Sequence, residues 1–264
     1  MLTVSSAQLD AWLAAFMFPL SRILGLMASA PVFSNTGMPR HVRLIAGLAV
    51  TMAIAPALPP MPTIAAGSWQ GLAILAEQAV IGVLLGLTLR IVFAAVDLAG
   101  ELIGLQMGLA FAVFYDPQNS GQTPVLSEFL GLLATLIFLA MNGHLLCLAV
   151  LIESFKLLPV GGAAFAAGGF RVLASWMATM FSAGVLLSLP VVAALLIANI
   201  AMGVLSRVAP QLNLFAVGFP VTIVSGFAVL MISLPYFGAA LEHLFDQGFA
   251  ALRMVLQASG GMPP

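Results

Sequence analysis

The 264-residue sequence is poor in charged side chains, which make up 6% of the chain. Soluble domains carry about 25% charged residues, so this chain cannot cover an ordinary water-exposed surface. Its eight basic and nine acidic residues give a net charge of -1. This balance provides no basic excess for contacts with phosphates, and we expect no nucleic-acid partner.

Cysteine and histidine are also scarce. Cys147 is the single cysteine, which excludes an intrachain disulfide and a multi-cysteine metal site, and its apolar neighbours indicate a buried small hydrophobe. The three histidines are far apart, and the chain contains no HExxH, GxSxG or P-loop motif. The Asn142-Gly143-His144 string predicts a helix cap or turn. We expect no catalytic site, cofactor or metal, and therefore a protein that is not an enzyme.

Apolar residues are abundant: they make up 62% of the chain, and the mean hydropathy is +1.16. A bilayer core about 30 Å thick is crossed by roughly 20 apolar residues in a helix. The pattern predicts an all-α integral membrane protein with six to eight helices. Single spans are predicted over residues 12–32, 44–58, 70–95 and 125–151.

The first apolar segment lacks a basic flank, so we expect it to be retained rather than cleaved as a signal peptide. Arg40 and Arg43 favour a cytoplasmic first loop, which predicts an external N-terminus.

Two apolar stretches, 172–206 and 208–241, are too long for simple spans. Pro190 interrupts the first, and Pro220 and Pro235 interrupt the second. Each stretch therefore predicts either a long kinked helix or a tight helical hairpin. A loop rich in glycine and alanine is predicted between them and the fourth span, over residues 153–171.

Three charged residues, Arg90, Asp97 and Glu101, fall on one face of a helix that continues from the third span. Glycines at four-residue spacing, Gly82 with Gly86 and Gly100 with Gly104, predict close approach of helix backbones. The charged face fits a polar seam at a subunit interface or conduit. It fits equally well a set of charges at the membrane–water interface.

Residues 107–124 change abruptly from apolar to polar. The segment begins with Met107 and the aromatics Phe111, Phe114 and Tyr115, and turns polar at Asp116-Pro117. Such a loop must lie in water, in protein or along a cavity. From the residues alone, it is either a movable plug or an ordinary connector between spans.

Three long strings, 22–50, 108–144 and 199–222, resemble the flagellar (FliR) branch of the T-component family of type III secretion export gates. The third string carries the family's turn residues, namely Arg207, Pro210, Gln211, Asn213 and Pro220. The similarity extends over essentially the whole chain. The Asp-Pro-Gln loop favours the flagellar branch over the injectisome branch.

The resemblance implies one membrane domain, 1–264, with a FliP-like portion over about 1–170 and a FliQ-like portion over 171–264. It implies a structural subunit of a helical export gate in the flagellar basal body of the bacterial inner membrane. The implied partners are FliP-like and FliQ-like subunits, FlhB-like and FlhA-like export components, unfolded flagellar substrates, and membrane lipid.

For the loop of residues 107–124, the resemblance implies projection into the channel and closure before secretion, and Met107 offers an adaptable apolar contact for varied substrates. The long apolar stretches are then expected to pack against protein. A multispanning small-molecule transporter is the alternative function.

Overall fold

The computed structural model describes residues 6–34, 39–109, 124–162, 166–209 and 214–261. Over these ranges the chain forms seven α-helices and no β-strand, which confirms the all-α prediction and the expected helix count. The helices are α1 (Ser6–Ser29), α2 (Arg40–Ile54), α3 (Trp69–Gln106), α4 (Val125–Ala140), α5 (Gly143–Leu157), α6 (Gly168–Val208) and α7 (Leu214–Ser259).

Prolines mark several helix boundaries. Pro39 precedes α2 and Pro124 precedes α4, where a residue without an N–H loses no helical hydrogen bond. A short 3-10 turn, Ala55–Ala57, contains a proline and ends α2. Helix α2 begins at Arg40, so the basic residues predicted to lie in a loop are in its first turn.

The span predicted over residues 125–151 is not one straight helix. Helix α4 ends at Ala140, α5 begins at Gly143, and the two axes differ by 66°. The break lies at Asn142, which has a left-handed backbone with φ of 57°, a conformation that asparagine tolerates better than most residues. The helix cap or turn predicted at Asn142-Gly143-His144 is confirmed.

The predicted loop over residues 153–171 is too long at both ends, because α5 extends to Leu157 and α6 begins at Gly168. Residues 172–206 lie within one helix, α6, and residues 214–241 of the second stretch lie within another, α7, so neither of these segments forms the alternative hairpin. Helix α6 has 41 residues and continues through Pro190, and α7 has 46 residues and continues through Pro220 and Pro235.

The chain divides into two compact units. The first contains residues 1–91, 142–177 and 246–264, and the second contains residues 92–141 and 178–245. Within the described residues, four helices are long and apolar enough to cross a membrane, or up to five if the bent α4–α5 pair counts as one span.

In the first unit, α1 and α3 pack with their backbones in close contact. A side chain added at Gly82 would meet the backbone carbonyl of Arg22, and a Cβ at Gly25 would lie 2.5 Å from the Ala79 carbonyl oxygen. The Ser29 hydroxyl donates to the Val83 carbonyl at 3.1 Å. The small-residue ridge predicted on α3 thus serves helix packing.

In the second unit, α3 and α4 make a similar close contact. A Cβ at Gly100 would lie 2.6 Å from the backbone nitrogen of Ser127, whose hydroxyl donates to the Asp97 carbonyl at 2.9 Å. Further along, the rings of Phe93, Phe138 and Phe245 meet with centroids 5.3–5.9 Å apart. Such tilted aromatic contacts add to the burial of a core.

Candidate functional site

The predicted polar face lies on α3, which continues as one helix to Gln106. Arg90, Asp97 and Glu101 are all exposed, and their spacing of seven and four residues places them on one side of the helix. A Cβ at Gly131 of α4 would lie 3.4 Å from Asp97 Oδ1. Helix α4 adds Glu128, exposed in its first turn, beside the face that carries Asp97.

Exposure alone does not decide between a polar seam at a subunit interface or conduit and a set of charges at the membrane–water interface. A substitution at Glu101 distinguishes the two. The substitution Glu101→Ala is expected to impair assembly or motility, because an exposed carboxylate on a largely apolar helix needs a polar partner in the assembled state. Swimming in soft agar and co-purification of the partner subunits that the family resemblance implies measure the effect. Glu101→Gln, which keeps the size and removes the charge, is the matched variant. Normal swimming of Glu101→Ala would place the carboxylate at a water interface instead.

Met107 begins the loop predicted to be a plug, and its side chain is fully buried in the second unit. A Cβ at Gly226 of α7 would lie 2.7 Å from the Met107 Cε atom, and the Thr222 hydroxyl donates to the Met107 carbonyl at 3.5 Å. Met107 therefore contacts α7 in this conformation. The other predicted plug residues, Phe111, Phe114, Tyr115, Asp116 and Pro117, lie outside the described residues.

Of the family's turn residues, the structure describes only the first and the last, Arg207 and Pro220. Arg207 is exposed in the last turn of α6, where a basic side chain interacts favourably with the helix dipole. Pro220 is exposed inside α7. The three motif residues between them, Pro210, Gln211 and Asn213, lie outside the described residues.

A buried arginine forms a polar cluster that the sequence analysis missed. Arg22 of α1 is fully buried. Its Nε donates to Gln78 Oε1 of α3 at 2.9 Å, and its Nη2 donates to the same oxygen. Nη1 donates to the Ser154 hydroxyl of α5 at 3.0 Å, and Nη2 donates at 2.8 Å to the carbonyl of Leu158, which follows α5. One guanidinium thus joins α1 and α3 to α5 and the residue that follows it.

Two further interactions compensate for burial of the Arg22 charge. The guanidinium carbon lies 4.0 Å from the centre of the Phe155 ring, within cation–π range. Glu77 also interacts electrostatically with Arg22. The available sequence signal was an arginine inside an otherwise apolar segment, which indicates a buried partner when the segment is helical.

The longest helices leave most of their apolar surface uncovered. In the most apolar windows of α6 and α7, 22% of residues are buried within the chain. Large side chains on these helices are widely exposed, for example Ile197 on α6 and Ile232 on α7, at 69% and 72%. Uncovered apolar area on this scale marks contact with lipid or with other proteins.

Among the residues that the structure describes, no three histidine, cysteine, aspartate or glutamate side chains come together in a group that could hold a metal ion. The described polar features are the α3 face and the Arg22 cluster. The first is exposed and fits either a subunit interface or a membrane–water interface, and the second joins α1, α3 and α5 within the first unit.

Comparison with known proteins gives a consistent match. The family described as bacterial export proteins, family 1, matches residues 13–248. Flagellar biosynthetic protein FliR of Escherichia coli K12 is 40% identical over 256 residues, which cover 97% of this chain and 98% of that protein. FliR of Pectobacterium carotovorum is 41% identical with the same coverage, and FliR of Bacillus subtilis 168 is 30% identical over 93% and 96%.

Proposed function

This chain belongs to family 1 of the bacterial export proteins, and we propose on that basis that it is a structural subunit of the flagellar type III export gate. In this proposal it forms, with FliP-like and FliQ-like subunits, the channel for unfolded flagellar proteins. FlhB-like and FlhA-like components act with the gate. The assembly lies in the basal body, at the inner membrane.

The length of the exposed apolar helices carries the proposal. Helix α6 is one uninterrupted helix of 41 residues, which corresponds to about 60 Å at 1.5 Å per residue. A bilayer core of about 30 Å covers only half of that length at a modest tilt. The remaining apolar surface needs other protein, as a subunit of a larger assembly would have.

Two parts of the proposal concern regions of the chain. We assign residues 1–170 to a FliP-like portion and residues 171–264 to a FliQ-like portion.

The loop of residues 107–124 closes the channel at rest, with Phe111, Phe114 and Tyr115 excluding water. The burial of Met107 against Gly226 supports this role, because a plug needs a fixed point of attachment.

No catalytic step belongs to this subunit in the proposed mechanism. Its helices supply a path and its loop supplies a seal, while the energy for export comes from other components. The seal must be held weakly, since a translocating chain has to displace it.

Purification tests the proposal. A tagged copy expressed with the flagellar genes and extracted in mild detergent is expected to bring FliP-like and FliQ-like subunits with it. The same tag on an unrelated multispanning protein is the control. A monomer or homo-oligomer without these subunits would contradict the proposal and favour the small-molecule transporter.

A further inference from the structure

The end of α3 is shaped by Gly108. This residue has a left-handed backbone with φ of 78°, which glycine adopts without strain. Its N–H donates to the Leu105 carbonyl at 3.1 Å, and the Leu109 N–H donates to the Gly104 carbonyl at 2.9 Å. These two hydrogen bonds form a Schellman motif, which ends a helix and satisfies its last carbonyls. The chain therefore leaves α3 along one defined path at residues 107–109.

Helix α7 holds the side chain beside this turn. Met107 is fully buried, and a Cβ built at Gly226 would lie 2.7–2.8 Å from its Cγ, Sδ and Cε atoms. The Thr222 hydroxyl, one turn earlier, lies 3.5 Å from the Met107 carbonyl oxygen but 2.9 Å from the Phe219 carbonyl oxygen. The contact therefore depends on steric fit more than on the hydrogen bond to Met107. We define the α7 seat as the surface of Thr222 and Gly226 that receives Met107.

This part of α7 has few other buried contacts. Among residues 218–229, Gly226 is the only buried one. Pro220, which lacks an N–H, lies six residues before it inside the helix and removes one helical hydrogen bond there. Sparse burial and missing backbone hydrogen bonds are features of segments that move at a low cost in free energy. The steric contact with Met107 therefore largely determines where this part of α7 lies on the end of α3.

We propose that the α7 seat positions the start of the loop that forms the proposed seal. The loop of residues 107–124 departs from Met107, so the place of Met107 on α7 fixes the place of departure. Gly226 and Thr222 are positioning residues that act through Met107 and touch no substrate. The inference rests on the proposed function and extends it by coupling the seal to α7.

A methyl group at position 226 tests this coupling. Ordinary contacts of a Cβ atom begin near 3.4 Å, so Met107 or α7 must shift to admit the methyl group. The thioether cannot simply rotate away, because Cγ is among the clashing atoms and the residue is fully buried. Gly226→Ala is expected to raise the resting leak of ions and dye several-fold in cells with all the flagellar genes. Gly238→Ala, on the same helix, is the matched control, because a Cβ there meets no atom within 4 Å.

Removing the Met107 side chain distinguishes a lost fit from general damage. Met107→Ala alone leaves the seat empty and should also cause a leak. In the double variant with Gly226→Ala, the new methyl group occupies part of the space that Met107 leaves. The leak of the double variant should therefore be lower than that of either single variant. Leaks that simply add in the double variant overturn the inference, as does a Gly226→Ala leak equal to that of Gly238→Ala.

A reversible cross-link decides the question even if Gly226→Ala does not assemble. In a Cys147→Ala background, Met107→Cys and Gly226→Cys supply the only two thiols of the chain. The Met107 Cγ atom, whose place a cysteine sulfur takes, lies 2.7 Å from a Cβ at position 226, within reach of a disulfide. The oxidised pair restores the attachment and should seal, whereas the reduced pair lacks the methionine and should leak several-fold more. Equal leaks in the two states overturn the inference, and Cys147→Ala alone, treated with the same reductant, is the control.

Co-purification separates failure of the inference from failure of the proposed function. If FliP-like and FliQ-like subunits co-purify with the variants and the leak does not respond, the α7 seat does not position the seal and the proposed function survives. If those subunits do not co-purify with the unaltered chain, both fail.

Discussion

Deleting Phe111 to Ser120 is expected to make the resting membrane leak ions and small solutes. In the proposed gate, Phe111, Phe114 and Tyr115 exclude water from the closed channel. Without them, the closed state has no apolar barrier at that point. Uptake of a normally excluded dye and loss of cytoplasmic potassium measure the leak in cells that express the complete set of export subunits.

The structure indicates that this deletion leaves the surrounding helices in place. Eighteen residues connect Gln106 of α3 to Val125 of α4, and removing ten leaves eight. The two helix ends are close to each other, because a Cβ at Gly104 would lie 3.9 Å from a methyl carbon of Leu126. Connections of two to eight residues commonly join packed helices, so the shortened chain can still close the gap.

Two controls separate a lost seal from a damaged assembly. Replacing the three aromatic residues with serine keeps the loop length and should also cause a leak, because the apolar contacts are lost. The deletion expressed without the other subunits should cause none, because no channel forms. An unchanged leak in the deletion variant, with partner subunits still co-purifying, contradicts the plug and favours an ordinary connector.

The sequence predicted a helix correctly where a long apolar segment contains no proline to interrupt it. Residues 70–106 contain no proline, and the predicted helix and its charged face were both found in α3. The turn at Asn142 was predicted, but the 66° bend that it makes within residues 125–151 was not, because the residues on both sides are strongly apolar. Pro190 left two alternatives open, a long kinked helix or a hairpin, and α6 is one long helix that continues through it; neighbouring helices can compensate for a missing hydrogen bond.

The Arg22 cluster could not be predicted, because its partners are distant along the chain. Gln78 is 56 positions away, Ser154 is 132 and Leu158 is 136. Local pattern identifies a buried arginine as unusual but does not say which of several polar residues accepts its hydrogen bonds. The exposed face of α3 depends on helical periodicity alone and was therefore accessible from sequence.

Replacing Arg22 with methionine is expected to destabilise the first unit strongly. Methionine fills much of the same space but donates no hydrogen bond, so the buried acceptors on Gln78, Ser154 and Leu158 lose their donor. Each buried group left unsatisfied costs about 1–3 kcal/mol, and we expect a total loss of about 3 kcal/mol. For a chain of this size, that loss lowers the apparent Tm by roughly 10 °C.

Three further variants test the physical cause of this loss. Arg22→Lys keeps the charge but lacks the planar fork that reaches Gln78, Ser154 and Leu158 together, so an intermediate loss is expected. Arg22→Met combined with Gln78→Leu should lose less than the two single variants added together, since the pair leaves no unpaired amide. Arg40→Met changes an exposed arginine and should alter stability by about 0.5 kcal/mol or less.

Thermal unfolding of the detergent-solubilised protein, followed by helical circular dichroism, compares these four variants and the single variant Gln78→Leu under one condition. The predicted order of apparent Tm runs from Arg40→Met, through Arg22→Lys, to Arg22→Met. Equal midpoints for Arg22→Met and Arg40→Met would show that the buried cluster contributes little. Because Arg22 joins α1 and α3 to the end of α5, its loss should also make the exposed turn at residues 159–162 more susceptible to proteolysis before the protein unfolds. Protection of that turn in Arg22→Met would mean that other contacts hold the end of α5 in place.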